Sequence, residues 1–241
     1  MTWSLIARDT NGAFGVAVAS RFFAVGALCP HAASGVGALA TQALVNPLYA
    51  SAALEAMAQG IDPAAIVRAL TIADSGRDHR QLHLIDGDGH TAAHTGTACI
   101  DWCGHRAGRD FSVAGNMLAG PRVLEDTAAA FEANRALPFA SRLIAAIEAG
   151  EAAGGDKRGK QAAALIVCTT ETYPALDLRV DDHPEPIVEL RRLYEKSLER
   201  FQPFVACLPC RADPVGITDR AVIEAAIERF QAARSHGPGP A

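Results

Sequence analysis

A chain of 241 residues with 49% hydrophobic and 20% charged residues has ordinary globular composition, enough for one sizeable core and unlike a disordered or fibrous chain. Its formal net charge of -5, with no basic stripe among exposed aromatics, offers nothing to a phosphate backbone, so nucleic acid is excluded as an expected partner. No run of about 18 apolar residues and no basic-then-apolar leader occurs, which excludes a membrane partner and predicts a cytoplasmic protein. Six cysteines are too sparse for a disulfide scaffold and are expected as thiols.

Two apolar runs, residues 3–8 and 13–20, flank Asp9-Thr10-Asn11-Gly12, and Asn-Gly between such runs predicts a β-hairpin. Residues 35–43 read as a third, glycine-punctuated strand. Helices follow over 47–60, ended by Gly60, and from Pro63, placed after Asp62 as a first helical residue, to about residue 73. Residues 81–86 and 91–95, joined by Asp86-Gly87-Asp88-Gly89, predict a second hairpin, with a further strand at 111–116. A helix pair is expected over 121–134 and 138–149, the latter closed by Gly150, and strands over 162–168 and 176–180. Blocks of strands alternating with helix pairs argue for an α+β, four-layer αββα sandwich of two mainly antiparallel sheets between helical layers, and against a doubly wound parallel sheet. An amphipathic helix over 185–201 closes the core, expected as 1–201. A proline-rich linker, an amphipathic helix over 219–234 and a flexible tail make up 202–241.

Thr2 follows the initiator Met1 and opens the first strand, so removal of Met1 would leave a threonine carrying both a hydroxyl and a free α-amine. That amine, titrating near ~7.7 to 8.0, can take the hydroxyl's proton, which makes one residue both nucleophile and base. Met-Thr starts are common, so the signal needs context.

The context comes from long segments in order: MTWSLIARD at the start, GVAVASRFFAVG (15–26), TQALVNPLY (41–49), DSGRDHRQ (74–81), TGTACIDWCGH (95–105), GNMLAGP (115–121), GGDKRGKQAAAL (154–165) and LRVDDHPEP (178–186). Through them the chain, from Thr2 to about residue 200, resembles a bacterial family of uncharacterised N-terminal-nucleophile (Ntn) hydrolase-like proteins, distantly similar to proteasome-type subunits. The resemblance implies an αββα sandwich and names no substrate. Proteasome-like subunits support the nucleophile with an Asp and a Lys. Here the matching stretch offers Ser20 and Arg21 with no acid, and no lysine precedes Lys157. Either Arg21 and the cluster Asp156, Lys157 and Arg158 replace those charges, or activation differs.

Gly154, Gly155 and Gly159 let the backbone around Asp156, Lys157 and Arg158 approach a ligand closely; the loop reads as an anion-binding site or as a solvated turn. Asn116 and Gln42 are candidate amide donors to an oxyanion, although such residues more often satisfy backbone groups. His94, His105 and His183 are candidate acid-base or substrate-binding groups. Asp182, within Asp181-Asp182-His183, is a second-rank site candidate beside a helix-capping role. Cys207-Leu-Pro-Cys210 has the spacing of a zinc half-site without the usual second pair, so neither a metal nor a cofactor is expected.

The expected function is hydrolysis of a C–N, amide-like bond in a small-molecule substrate, anionic if Arg21, Lys157 and Arg158 orient it, with Thr2, Arg21, Asn116, Asp156 and Lys157 as catalytic candidates. The alternatives are a non-catalytic oligomeric binding module of the same fold and a zinc-dependent hydrolase. A homo-oligomer is expected, and Thr2, Arg21, Asn116 and the 156–158 loop are expected to converge on one pocket.

Overall fold

In the computed structural model, which describes residues 2–236, the chain divides into two compact units that meet in sequence at Arg191 and Arg192. Met1 and the 237–241 part of the expected tail lie outside the described residues.

β1 (Thr2–Arg8) and β2 (Phe14–Ser20) form the expected hairpin, and Gly12 at its turn takes φ +84°, a conformation that costs glycine nothing. β3 (Pro30–Ala33) pairs with β4 (Gly37–Ala43); β3 escaped the sequence reading because a proline-led four-residue edge carries almost no strand pattern. α1 (Leu48–Ala58) and α2 (Pro63–Ala73) follow, the latter capped by Asp62, whose carboxylate accepts the Ala65 N–H at 3.1 Å. β5 (Arg80–Asp86) and β6 (Thr91–Thr95) are the second hairpin. β7 (Gly104–Gly108), a second unread edge strand, pairs with β8 (Phe111–Asn116). α3 (Arg122–Ala133), α4 (Phe139–Ala152), β9 (Ala162–Cys168) and β10 (Leu176–Val180) follow, the boundary between the units falls within α5 (Pro186–Ser197), and in the second unit α6 (Phe201–Val205) and α7 (Arg220–His236) pack together. Among the described residues no helix is long and apolar enough to cross a membrane.

The strands form a six-stranded sheet, β10-β9-β2-β1-β8-β7, and a four-stranded sheet, β3-β4-β5-β6, with every pairing antiparallel. Period-2 alternation then decides which side chains meet. On the inner faces Ile6, Phe14, Val16 and Val18 of the first sheet pack against Ala38, Ala40 and Ile85 of the second. On the outer faces Leu39, Leu82 and Leu84 pack under α1 and α2, and Phe111 meets Phe131 of α3 with ring centroids 5.2 Å apart. The fold is therefore a four-layer αββα sandwich.

Gly150 does not close α4, as its position in the sequence suggested. The helix runs past it to Ala152, because Gly150 is buried where α4 crosses α3 and β1. A Cβ there would lie 2.2 Å from Thr127 Oγ1 and 2.8 Å from Trp3 Nε1. Gly→Ala inside a helix ordinarily gains up to about 1 kcal/mol, whereas forcing an atom into a filled contact costs about 1–3 kcal/mol. Gly150→Ala is accordingly expected to destabilise the protein, read as a lower denaturant midpoint in equilibrium unfolding; a raised midpoint would show that the contact is loose.

Candidate active site

The alternation that buries Ile6 between the sheets also turns Thr2 and Ser4 inward and sends Trp3 to the helical side. Thr2 is 6% exposed; its Oγ1 lies 3.0 Å from Ser20 Oγ on the register partner in β2. On its other side β8 places Asn116 opposite, and Asn116 Nδ2 donates to the Thr2 backbone oxygen at 3.5 Å. Thr2 lines a cavity of about 420 Å³ with Phe22, Val25, Leu28, Gln42, Leu44 and Arg80 among its walls. A second cavity of about 320 Å³ holds Asn116, His79, Ile100, Met117 and Arg158, and shares Phe22, Ala43 and Leu44 with the first. Neither cavity is lined by an Asp, Glu or Lys among the described residues. Ala43 and Met117 hold positive φ, +67° and +54°, a conformation that costs an L-residue roughly 1–2 kcal/mol and is found where surrounding structure dictates the backbone.

The 154–159 loop approaches this end of the sheet from the side of β2. Asp156, with its carboxylate 1% exposed, accepts the Arg21 N–H at 2.8 Å and the Arg158 N–H at 2.9 Å, and its Oδ2 lies 3.2 Å from Arg158 Nη2. Arg21 Nη1 donates back to the Arg158 carbonyl, and Leu118 forms a backbone bridge with Asp156. A linked series results: Asn116 to Thr2, Thr2 to Ser20, then through Arg21 to Asp156 and Arg158. Of these Arg21 lines neither cavity, and Asp156 borders a separate small one beside Ser20 and Trp3.

The remaining expected site residues lie elsewhere. Lys157 Nζ donates to the Asp101 carbonyl at 2.7 Å. His94 Nε2 lies 2.9 Å from the Arg77 carbonyl, and His105 Nδ1 lies 3.0 Å from Thr95 Oγ1. Asp182 accepts from Gln161 Nε2 at 3.2 Å, while His183 Nδ1 accepts the Glu185 N–H at 3.0 Å just before α5. None of the five lines the two cavities. Cys207 is buried and donates to the Pro203 carbonyl at 3.6 Å. Among the described residues the one grouping with metal-ligand potential is Asp86, Asp88 and His90, and it contains no cysteine. Its backbone is explained by turn chemistry, since Asp86 Oδ1 accepts the N–H groups of Asp88 and His90.

What sequence reasoning missed is a buried polar seam between the sheets. Ser4, Gln81, His83 and Ser112 are 0% exposed, and Gln42 and Asn116 are 2%. Gln81 Oε1 accepts from Gln42 Nε2 at 2.7 Å and Asn116 Nδ2 at 3.1 Å, while its Nε2 meets three acceptors, Thr95 Oγ1 and the carbonyls of Gly104 and Gly115, each at 2.9 Å. The reverse amide orientation would set donors against donors, so these neighbours fix it. Ser4 Oγ donates to Gln42 Oε1 at 2.8 Å, which leaves it only an acceptor for His83 Nε2 at 2.8 Å. His83 therefore carries its proton on Nε2, and its Nδ1 accepts from Ser112 Oγ at 3.1 Å. The detectable signal was in QLHLID, where Gln81 and His83 alternate with Leu82 and Leu84: a strand with one leucine face and one polar face, both of which a sandwich buries.

A family model described as a family of unknown function, DUF1028, matches residues 2–190, which opens on Thr2 and ends within a residue of the first unit. The chain belongs to this family. A solved structure of a DUF1028 protein from Silicibacter pomeroyi is 33% identical, covers 91% of this chain and 96% of that one, and superposes with a TM-score of 0.85. Anbu (ancestral beta-subunit) from Yersinia bercovieri is 13% identical, over 81% of this chain and 94% of that one, with a TM-score of 0.40. No curated protein matches the chain.

Burial, with a smaller contribution from nearby His105, pushes the His83 imidazolium down to about 3. An unfolded histidine titrates near ~6.5, so between these values the unfolded chain binds a proton that the folded chain does not. The neutral seam thus contributes full stability above ~6.5 and loses about 1.4 kcal/mol per pH unit below it, down to the folded value. Urea unfolding of wild type and His83→Gln at a series of pH values from 7.5 to 4.5 is expected to give a steeper acid loss for wild type by about that slope. Parallel curves would remove His83 from the neutral seam.

Proposed function

We propose that the protein is an N-terminal-nucleophile hydrolase that cleaves a C–N, amide-like bond of a small compound, with Thr2 as nucleophile once Met1 is removed. The observation that carries this reading is the placement of Thr2: a hydroxyl at the head of an internal strand, bonded to Ser20, on the wall of a substrate-sized cavity. Thr2 Oγ1 attacks the carbonyl carbon while the α-amine takes the hydroxyl proton; the amine then returns it to the leaving nitrogen as the C–N bond breaks. Water attacks the resulting ester, giving the acid and regenerating Thr2. For the oxyanion, Gln42 is the better-placed amide. It lines the cavity and spends one N–H on Gln81, whereas Asn116 Nδ2 already meets two acceptors.

Among the described residues no lysine lines either cavity, so the amine of Thr2 serves as base unaided, and Arg21, Asp156 and Arg158 act on the backbone that carries Ser20. The same lack of a lysine favours, as the second reading, a binding module of this fold, assembled from several copies, that performs no chemistry. Intact mass of protein made in bacteria is expected to show Met1 absent. A screen of small amides, lactams and ureides is expected to find turnover that Thr2→Ala lowers at least ~10³-fold. Uniformly retained Met1 with no turnover of any compound would leave the binding module as the better reading, and turnover unchanged in Thr2→Ala would remove Thr2 as the nucleophile.

A further inference from the structure

Both cavities at the head of β1 are walled mainly by apolar side chains. Phe22, Val25, Leu28, Ala43, Leu44 and Val45 make the apolar part of the one that Thr2 lines. In the other, which Asn116 lines, Ala98, Ile100 and Met117 join the shared Phe22, Ala43 and Leu44. Thr2 and Asn116 are register partners on neighbouring strands, and the two spaces adjoin there. Phe22 is 50%, Ile100 58% and Leu44 61% exposed; side chains of this size left in water around cavities mark surface that a ligand covers.

Each wall contains one arginine, and each arginine is already paired with an aspartate outside the lining. Arg80 Nε donates to Asp74 Oδ2 at 3.1 Å. The Tyr49 hydroxyl and the Gly76 N–H, both donated to Asp74, hold its carboxyl well below the usual range, so it stays ionised beside Arg80. Arg158 Nη2 lies 3.2 Å from Oδ2 of Asp156, whose carboxylate is 1% exposed and also takes two backbone N–H groups. Lys157 lines neither cavity and donates to the Asp101 carbonyl. His79, in the second wall, is the remaining basic side chain there, and a neutral imidazole can hydrogen-bond an amide. A ligand carboxylate would give up its hydration to arrive beside arginines that are already neutralised, whereas an uncharged amide has far less hydration to lose. These pairings weigh against the anionic substrate that the sequence suggested.

We infer that the substrate is an uncharged amide with an apolar group on each side of its C–N bond. Its carbonyl lies at Thr2 Oγ1 and Gln42, and its two apolar arms cover the exposed faces of Phe22, Leu44 and Ile100. This rests on the reading of Thr2 as nucleophile: attack leaves the acyl group as an ester on Thr2 Oγ1 and releases an apolar amine that carries away the hydroxyl proton, and water then frees the carboxylic acid.

The test separates binding from chemistry. Full-length Thr2→Ala is titrated calorimetrically at pH ~8, where carboxylates are ionised, with N-butylhexanamide and three counterparts. N-hexanoyl-β-alanine carries a carboxylate on the amine arm, N-butyladipamate carries one on the acyl arm, and N-methylacetamide lacks both arms. N-butylhexanamide is expected to bind at least ~tenfold more tightly than each of the others. Leu44→Ser, introduced into the same protein at an exposed position, is expected to weaken that binding at least ~fivefold. A carboxylate counterpart binding as tightly or more tightly, or no binding of any compound, overturns the inference; because the ligand series uses one folded protein, this holds whether or not the Leu44 variant folds. Preference for N-butylhexanamide without its hydrolysis by wild type would sustain the ligand class and sink the nucleophile, whereas Thr2-dependent hydrolysis of charged amides without that preference would do the reverse.

Discussion

The hydrogen bonds of Gln81 hold together the end of the sandwich at which Thr2 lies. Its carboxamide is closed off from water and contacts β4 through Gln42, β6 through Thr95, β7 through Gly104 and β8 through Asn116 and Gly115. A typical pair of this kind contributes only about 1 kcal/mol net, but a buried amide left without partners costs about 1–3 kcal/mol for each orphaned group. The two sheets can therefore approach at this end only in the one arrangement that satisfies Gln81. Farther along the same interface Ile6, Val16, Ala38 and Ile85 meet as an ordinary apolar core, which tolerates small shifts far more readily.

That requirement reaches the candidate nucleophile through one intermediate. Asn116 spends its amide on Gln81 and on the Thr2 carbonyl, so the head of β1 is held from β8, while Ser20 holds the Thr2 hydroxyl from β2. Ser20 is steadied in turn by its neighbour Arg21, whose N–H is taken by the buried Asp156. The loop that the sequence presented as a ligand-binding patch thus acts in part as a clamp on the end of β2. Its charges are divided: Asp156 is structural, Arg158 reaches the second cavity, and Lys157 is turned to Asp101.

The architecture was legible because most of its elements are marked locally. Asn-Gly closes the first hairpin, Asp62 and Pro63 start α2, β9 is an unbroken apolar run, and β10 alternates apolar and charged residues as a half-buried strand does. What escaped lacks such marks. β3 and β7 are four- and five-residue edges rich in Ala, Gly, His and Pro, and Gly150, a helix-ending residue by type, is required at its position by Thr127 and Trp3, which are far from it in sequence. Of the candidate site, the sequence marked Thr2 at the start of a strand, the amides of Gln42 and Asn116, and an acid among glycines. The cavities and the seam were not, because each is assembled from strands paired across long sequence distances, and a lone Gln or Ser in a strand does not announce which face it occupies or what opposes it.

A scaffold needing stability alone would gain little from such a seam, since an apolar interface of the same shape can be as stable and carries no penalty for an imperfect partner. Its value lies in direction: amides and hydroxyls fix angles that apolar contacts leave soft, and they are concentrated at the end where Thr2 opens into a cavity. The left-handed backbone at Ala43 and Met117, at the ends of the two strands that carry Gln42 and Asn116, fits the same account. Strain of this kind persists only where neighbouring interactions over-determine the chain, and the seam supplies them. On the proposed reading, in which Thr2 uses its own amine as base, such positioning matters most, since among the described residues no lysine lines either cavity.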